Sequence, residues 1–207
     1  MKRGIIFGSA PVDDWSFLRK WLDDDCLVIC ADGGRLSAEG LGLQPDWYVG
    51  DSDSGGYDKN CPADILPSEK DVTDLEMAVS RGIVEGCDEL LLCGCTGGRQ
   101  DHHLAAIGQL ERIYHAGKRG ILLDERNEIY LLAPGVHVLP SHDGFRYFGL
   151  VPLDAQLTGV SINGAKYEVK KAVFQRWSSL GISNETISGK DCAIQIESGI
   201  GLLIFSN

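Results

Sequence analysis

Short apolar runs and helix-like segments alternate along the first 135 residues. "GIIFGSA" (4–10), "CLVICADGG" (26–34) and "WYVGD" (47–51) are almost continuously apolar until they break at Gly, Ser or Asp, the pattern of strands buried on both faces. Between the first two, "DDWSFLRKWL" (13–22) sets Trp15, Leu18, Trp21 and Leu22 on one face at helical spacing. "TDLEMAVSRGIVEG" (73–86) predicts a helix with Thr73 as N-cap, Glu76 three residues on to complete a capping box, and Gly86 as its stop. "DELLLCG" (88–94) predicts the next strand, "DHHLAAIGQLERIYHAG" (101–117) the next helix, and "RGILLDE" and "NEIYLLAPG" two further strands. Strand and helix in alternation point to a parallel or mostly parallel sheet covered on both faces.

After Pro134 the texture changes. "GFRYFGLVPL", "LTGVSI", "AKYEVK", "CAIQIES" and "GLLIFSN" are short alternating stretches separated by Gly, Asn, Ser and Pro, and none carries a helical period. The expected fold is therefore α/β over residues 1–135, a mostly parallel Rossmann-like sheet, followed by a small all-β domain, sandwich or barrel-like, over 136–207.

Composition narrows the function. Nineteen Lys and Arg against thirty Asp and Glu give a net charge of -11, which opposes general affinity for nucleic acid or for an anionic membrane. If a polyanion such as a nucleotide binds, a divalent metal held by carboxylates could attract it. "MKRGIIFGSAPVDD" has too short an apolar run for a signal peptide, and no stretch nears the roughly 20 apolar residues that span a bilayer. Seven cysteines, an odd number scattered through apolar segments, suggest reduced thiols and a cytoplasmic location. Cys93 and Cys95, with His102 and His103 downstream, match no familiar zinc spacing and read as buried structural residues.

The acids fall where the strands end. Asp32 follows the run Cys26 to Ala31, Asp51 and Asp53 follow Trp47 to Gly50, and Asp101 follows Leu90 to Gly94 across "CTGGRQ". In an open α/β sheet ligands bind outside the carboxyl ends of the strands. Parallel strands would thus crowd these four acids at one edge, joined by Asp74 if its helix starts there. Such a cluster is costly without a cation, and Mg²⁺, which takes hard oxygens and keeps several waters, fits it. Residues one apart in an extended segment point the same way, so Asp51 and Asp53 can reach one ion. An EF-hand is excluded, because counting from Asp51 puts Gly55 and Pro62 at ligand positions.

"TGGRQD" (96–101) places two glycines and Arg99 before a helix, where free backbone N–H groups and the helix dipole attract anions and Arg99 could grip a phosphate. There is no G-x-x-x-x-G-K-[ST], and no G-x-G-x-x-G after a strand. The residues thus point to a metal-phosphate site for phosphoryl transfer or hydrolysis. Turns with solvated acids are the plain structural alternative, since Ser, Gly and Asp are ordinary turn residues.

In order along the chain, "ADGG" (31–34), "PDWYVGDSDS" (45–54), "KDVTD" (70–74), "GCTGGRQDH" (94–102) and "LGISNE" (180–185) resemble the motif set of the thiamine pyrophosphokinase (thiamine diphosphokinase) family. The resemblance spans nearly the whole chain. It implies transfer of pyrophosphate from ATP to the hydroxyethyl oxygen of thiamine, with release of AMP, by a homodimer whose active site lies between the α/β domain of one subunit and the β domain of the other. By the same resemblance Asp51, Asp53 and Asp74 would be the Mg²⁺ ligands, and Asp32 a nucleotide contact or a support behind them. Arg99 and Asp101 would be the polar group around the phosphates and substrate. Gly33, Lys70, Thr96, Gly97 and Gly98 would contact ATP, and Ser183 and Asn184 would shape the thiamine pocket. Thiamine's pyrimidine is expected to stack on an aromatic residue, for which Tyr167 and Trp177 both offer themselves. The rival readings are a pyrophosphokinase acting on a hydroxymethyl pterin, a metal-dependent nucleotide phosphohydrolase, and a nucleotide or vitamin binding module without chemistry.

Overall fold

The run GIIF lies in strand β1 (Arg3–Phe7) of a computed structural model, which describes residues 1–23, 25–51, 61–65, 71–139 and 144–207. The chain divides into two compact units, Met1–Glu125 and Arg126–Asn207. In the first, β1 pairs in parallel with β2 (Leu27–Ala31), β2 with β3 (Trp47–Gly50), and β3 with β4 (Ala63–Ile65). On its other side β1 pairs in parallel with β5 (Glu89–Cys93), and β5 with β6 (Arg119–Leu123). The order is therefore β4-β3-β2-β1-β5-β6. Ile5, Ile6, Phe7, Ile29, Cys30 and Leu90 to Leu92 are wholly out of solvent, as continuous apolar runs in a sheet covered on both faces require. Each such burial contributes about 1.5–3 kcal/mol.

The helices begin where the polar signals stand. α2 (Asp74–Val84) starts at Thr73, whose Oγ1 accepts the Glu76 N–H at 3.2 Å. The Glu76 carboxylate accepts from Arg112 of α3 (Gln100–His115) at 2.6 Å, which ties the two helices together. Gly86, at φ 77, turns the chain out of α2. The amphipathic stretch 13–22 is a 3₁₀ helix, Trp15–Trp21, rather than an α-helix. Asp14 caps it by accepting from the Ser16 N–H (2.8 Å) and hydroxyl (2.7 Å), and three residues per turn stack Trp15, Leu18 and Trp21 in one row. Among the described elements, the short α1 (Gly34–Gly40) and the three-residue β4 were not marked in the sequence.

The second unit is all β. β7 (Asn127–Leu132) and β9 (Tyr147–Pro152) flank β13 (Gly201–Ser206) antiparallel. β11 (Val169–Gln175), β10 (Gln156–Asn163), β12 (Cys192–Ile196) and β8 (Gly135–Leu139) form a second antiparallel sheet in that order. Phe148, Leu203 and Phe205 from the first sheet join Leu157, Phe174 and Ile194 from the second in one apolar core, the sandwich arrangement expected from the alternation. The change of texture at 135/136 and the division at 125/126 differ by one strand. "NEIYLLAPG" reads as a continuation of the α/β alternation, but its strand β7 pairs antiparallel with β13 and so belongs to the β unit.

Candidate active site

Strand order in the first unit reverses between β1 and β5, the topological switch point at which open α/β sheets bind ligands. Glycines let the two strand ends cross closely there. A Cβ on Gly8 would stand 2.5 Å from the Gly94 carbonyl oxygen, Gly94 itself sits at φ 63, and the Ala10 N–H donates to that carbonyl at 2.9 Å. Beside this close approach opens a cleft of about 760 Å³, lined by Gly8 to Pro11 after β1, Ala31 and Asp32 at the end of β2, Val72 to Leu75 at the start of α2, and Gly94, Cys95 and Gly97 to Arg99 after β5.

Each acid reaches this region by a different local device. Asp32 ends β2 in the left-handed region (φ 51), with its N–H donating to the Val49 carbonyl at 2.8 Å. Aspartate is among the few non-glycine residues that adopt this conformation readily. The chain can turn so sharply into α1 because Gly34 has no Cβ, which would fall on the Phe7 carbonyl. Asp74 is the first residue of α2, placed by the Thr73 cap. Asp51 follows β3, and its carbonyl accepts the Tyr48 hydroxyl at 2.9 Å. Burial and then the carboxylates of Asp32, Asp51 and Asp74 push the Tyr48 phenol up to about 12, so one buried hydroxyl feels all three acids. Asp32 and Asp74 line the cleft, and Asp51, just past β3, is not among its lining residues. Asp53 and Lys70 lie outside the described residues. Among the described residues no group of three or more His, Cys, Asp or Glu is arranged to hold a metal ion.

The loop from β5 into α3 supplies the cationic side. Gly97 (φ 77) and Gly98 (φ 62) both use conformations open to glycine, and Arg99 occupies the N-cap of α3. The Arg99 guanidinium donates to both Asp101 oxygens, at 2.6 and 3.1 Å. This bond, with the His102 N–H, holds the Asp101 carboxyl down to about 2. Arg99 lines the cleft, whereas Asp101 is exposed and stands outside its lining. Thr96 donates its hydroxyl to Asp124 at 2.9 Å and braces the loop. Gly33 caps α1 next to Asp32. Ser9, Ala10, Pro11, Thr73 and His102 also line the cleft and were not among the expected residues. The rule that flagged the ends of β2, β3 and β5 applies equally to β1, where "GSAP" was the available signal.

In the second unit Asn184 is buried and its amide is spent on the main chain. Its Oδ1 accepts the N–H groups of Tyr167 (3.0 Å) and Glu185 (2.9 Å), and its Nδ2 donates to the Tyr167 carbonyl at 2.8 Å. Ser183, just before it, takes φ 57. The Tyr167 ring is exposed on this clamped segment, and Trp177 is 82% exposed. None of the seven cysteines is in a disulfide, and burial pushes the thiols of Cys93 and Cys95 up, which keeps them protonated and unreactive. No described helix is long and apolar enough to cross a membrane.

An open parallel sheet with an acid-lined cleft at its switch point, followed by a β sandwich, defines a two-part α/β plus β protein with a small-molecule site on the α/β side. The chain matches the family described as thiamin pyrophosphokinase, catalytic domain, over residues 18–122, and that described as thiamin pyrophosphokinase, vitamin B1 binding domain, over 136–201. It is 29% identical over 200 residues to thiamine pyrophosphokinase of Bacillus subtilis (strain 168), covering 92% of each chain. A crystal structure of thiamine pyrophosphokinase from Bacillus subtilis superposes with a TM-score of 0.89 at 26% identity, covering 100% of this chain and 99% of that one. One of thiamin pyrophosphokinase from Geobacillus thermodenitrificans gives 0.88 at 25%, covering 100% and 98%. The chain belongs to the thiamine pyrophosphokinase family, and it is an enzyme. Synthesis of thiamine diphosphate from thiamine is the activity of that family.

Proposed function

We propose that this enzyme transfers pyrophosphate from ATP to the hydroxyethyl oxygen of thiamine, giving thiamine diphosphate and AMP, with magnesium on the phosphates. The observation that carries the reading is the convergence of Asp32, Asp74, Arg99 and the Gly97–Gly98 backbone on one cleft at the switch point of a chain that matches both family domains. A triphosphate meets repulsion from these carboxylates unless a cation lies between. Asp51, Asp74 and, outside the described residues, Asp53 offer the hard oxygens that magnesium takes. When bound, the ion would neutralise charge on the phosphates as AMP leaves.

The chain's own residues would bind and orient. Arg99 presents a forked guanidinium that can exchange the Asp101 carboxylate for a phosphate. The backbone of Gly97 and Gly98 leads into the amino end of α3, which favours an anion, and Lys70 would add a second cation. Thiamine would meet the exposed ring of Tyr167 or Trp177, with Ser183 and Asn184 shaping the segment beneath. No protein nucleophile is required. The thiamine hydroxyl oxygen attacks the β-phosphorus of ATP, the bond from that phosphorus to the oxygen shared with the α-phosphate breaks, AMP leaves with the electron pair, and the hydroxyl proton passes to water. Catalysis then rests on positioning. The resemblance further supports a homodimer in which a second subunit completes the site.

Incubation with ATP, Mg²⁺ and either thiamine or a hydroxymethyl pterin tests the reading. The expected result is AMP in equal amount to thiamine diphosphate, lost on chelation of the metal. AMP formed only with the pterin, or phosphate released with no acceptor, would overturn it.

A further inference from the structure

Tyr48 has no part in the scheme above, yet its surroundings are those of a working group. It is wholly buried in β3, where an aliphatic residue would pack without a polar atom to satisfy. Its hydroxyl donates to the carbonyl of Asp51, the residue that follows β3, at 2.9 Å. Gly50 makes room for it: a Cβ there would stand 2.6 Å from the Tyr48 hydroxyl and 3.4 Å from the Asp32 Cα. The same strand end holds the other acid segment, since the Asp32 N–H donates to the Val49 carbonyl at 2.8 Å. The carboxyl end of β3 is thus a template to which both acid segments are tied.

We propose that Tyr48 is a positioning residue for the metal site: by donating to the Asp51 carbonyl it fixes the direction in which the chain leaves β3, and with it the Asp51 carboxylate. This rests on the reading of Asp51 as a metal ligand.

The test compares Tyr48→Phe, Gly50→Ala and Asp51→Asn with the parent chain. Binding of Mn²⁺ is followed by the paramagnetic resonance of the free ion, with an ATP analogue that carries a methylene between its α- and β-phosphorus. Turnover is titrated with Mg²⁺ in parallel. Tyr48→Phe keeps the ring and is expected to weaken Mn²⁺ binding about three- to tenfold, the range of one hydrogen bond, while the KM for thiamine stays within about twofold. Gly50→Ala displaces the hydroxyl without removing it and is expected to shift binding in the same direction, which decides the matter should Tyr48→Phe fail to fold. Mn²⁺ binding unchanged in these two variants but lost in Asp51→Asn would overturn the role of Tyr48 and leave the metal reading standing. Unchanged binding in Asp51→Asn would overturn the metal reading and the Tyr48 proposal with it.

Discussion

Asp32 combines two demands that substitutions can separate. Its φ of 51 asks for a residue tolerant of the left-handed region, and its place in the cleft asks for a carboxylate. Asn meets the first demand only, so Asp32→Asn is expected to hold its unfolding temperature while kcat/KM falls about 10²-fold or more, the scale of removing one preorganised polar group. Asp32→Ala is expected to lose activity as well and to cost about 1–2 kcal/mol of stability, read by thermal unfolding. Asp101 gives a pH signature. Its folded carboxyl sits at about 2, below the usual value near 3.9, chiefly because Arg99 hydrogen-bonds the ionised form. The pairing therefore stabilises the fold above about pH 3.9 and is lost as pH falls toward 2. Arg99→Ala is expected to return the Asp101 titration toward 3.9, followed by carboxyl NMR. At this scale the sequence marked which acids stand at strand ends, because that follows from apolar runs and parallel topology. It could not mark that Asn184, expected in the thiamine pocket, spends its amide on the main chain of Tyr167. Such bonds depend on a fold that brings residues 167 and 184 together.

Among the elements, α2 shows how a local signal and a tertiary contact divide one residue pair. Thr73 caps as expected, but Glu76 bonds Arg112 across to α3. Thr73→Ala is expected to cost about 1 kcal/mol in thermal unfolding. Because Asp74 is the next residue, it should also raise the Mg²⁺ needed for half-maximal turnover, whereas Arg112→Ala should lower stability and leave that requirement unchanged. The helices and strands with strong periodicity were legible: β1, β2, β3, β5, α2 and α3 stand where the pattern put them. α1 was not, since it is seven residues long, holds two glycines and starts without a side-chain cap. β4 was not, since three residues after Pro62 carry too little pattern. The strand reading of 165–170 stands several residues early, because the extended segment starts only at Val169, after a stretch ordered by Asn184 and a Gly164 turn.

For the whole molecule, the net charge of -11 is unevenly held. Residues 1–125 carry 23 acidic and 12 basic side chains, while residues 126–207 carry 7 of each. All the excess negative charge thus lies in the unit that bears the cleft, the one expected to receive a polyphosphate. Locally Arg99 and, in the proposed mechanism, a divalent ion would oppose this field, but at distances beyond about 10 Å the summed charge dominates, and salt screens it. Arrival of ATP should then be slowed by the protein's own field, opposite to the steering seen where site and ligand have opposite sign. At saturating Mg²⁺, kcat/KM for ATP is expected to rise severalfold between about 10 and about 150 mM monovalent salt, whereas kcat/KM for the cationic thiamine should fall or stay level. Initial rates at fixed pH and free Mg²⁺ check this. A kcat/KM for ATP that falls with salt would mean that Arg99, Lys70 and the metal set the field the nucleotide meets. Arg99→Ala and Lys70→Ala should then remove that dependence, and neither should do so if the excess of acids governs approach.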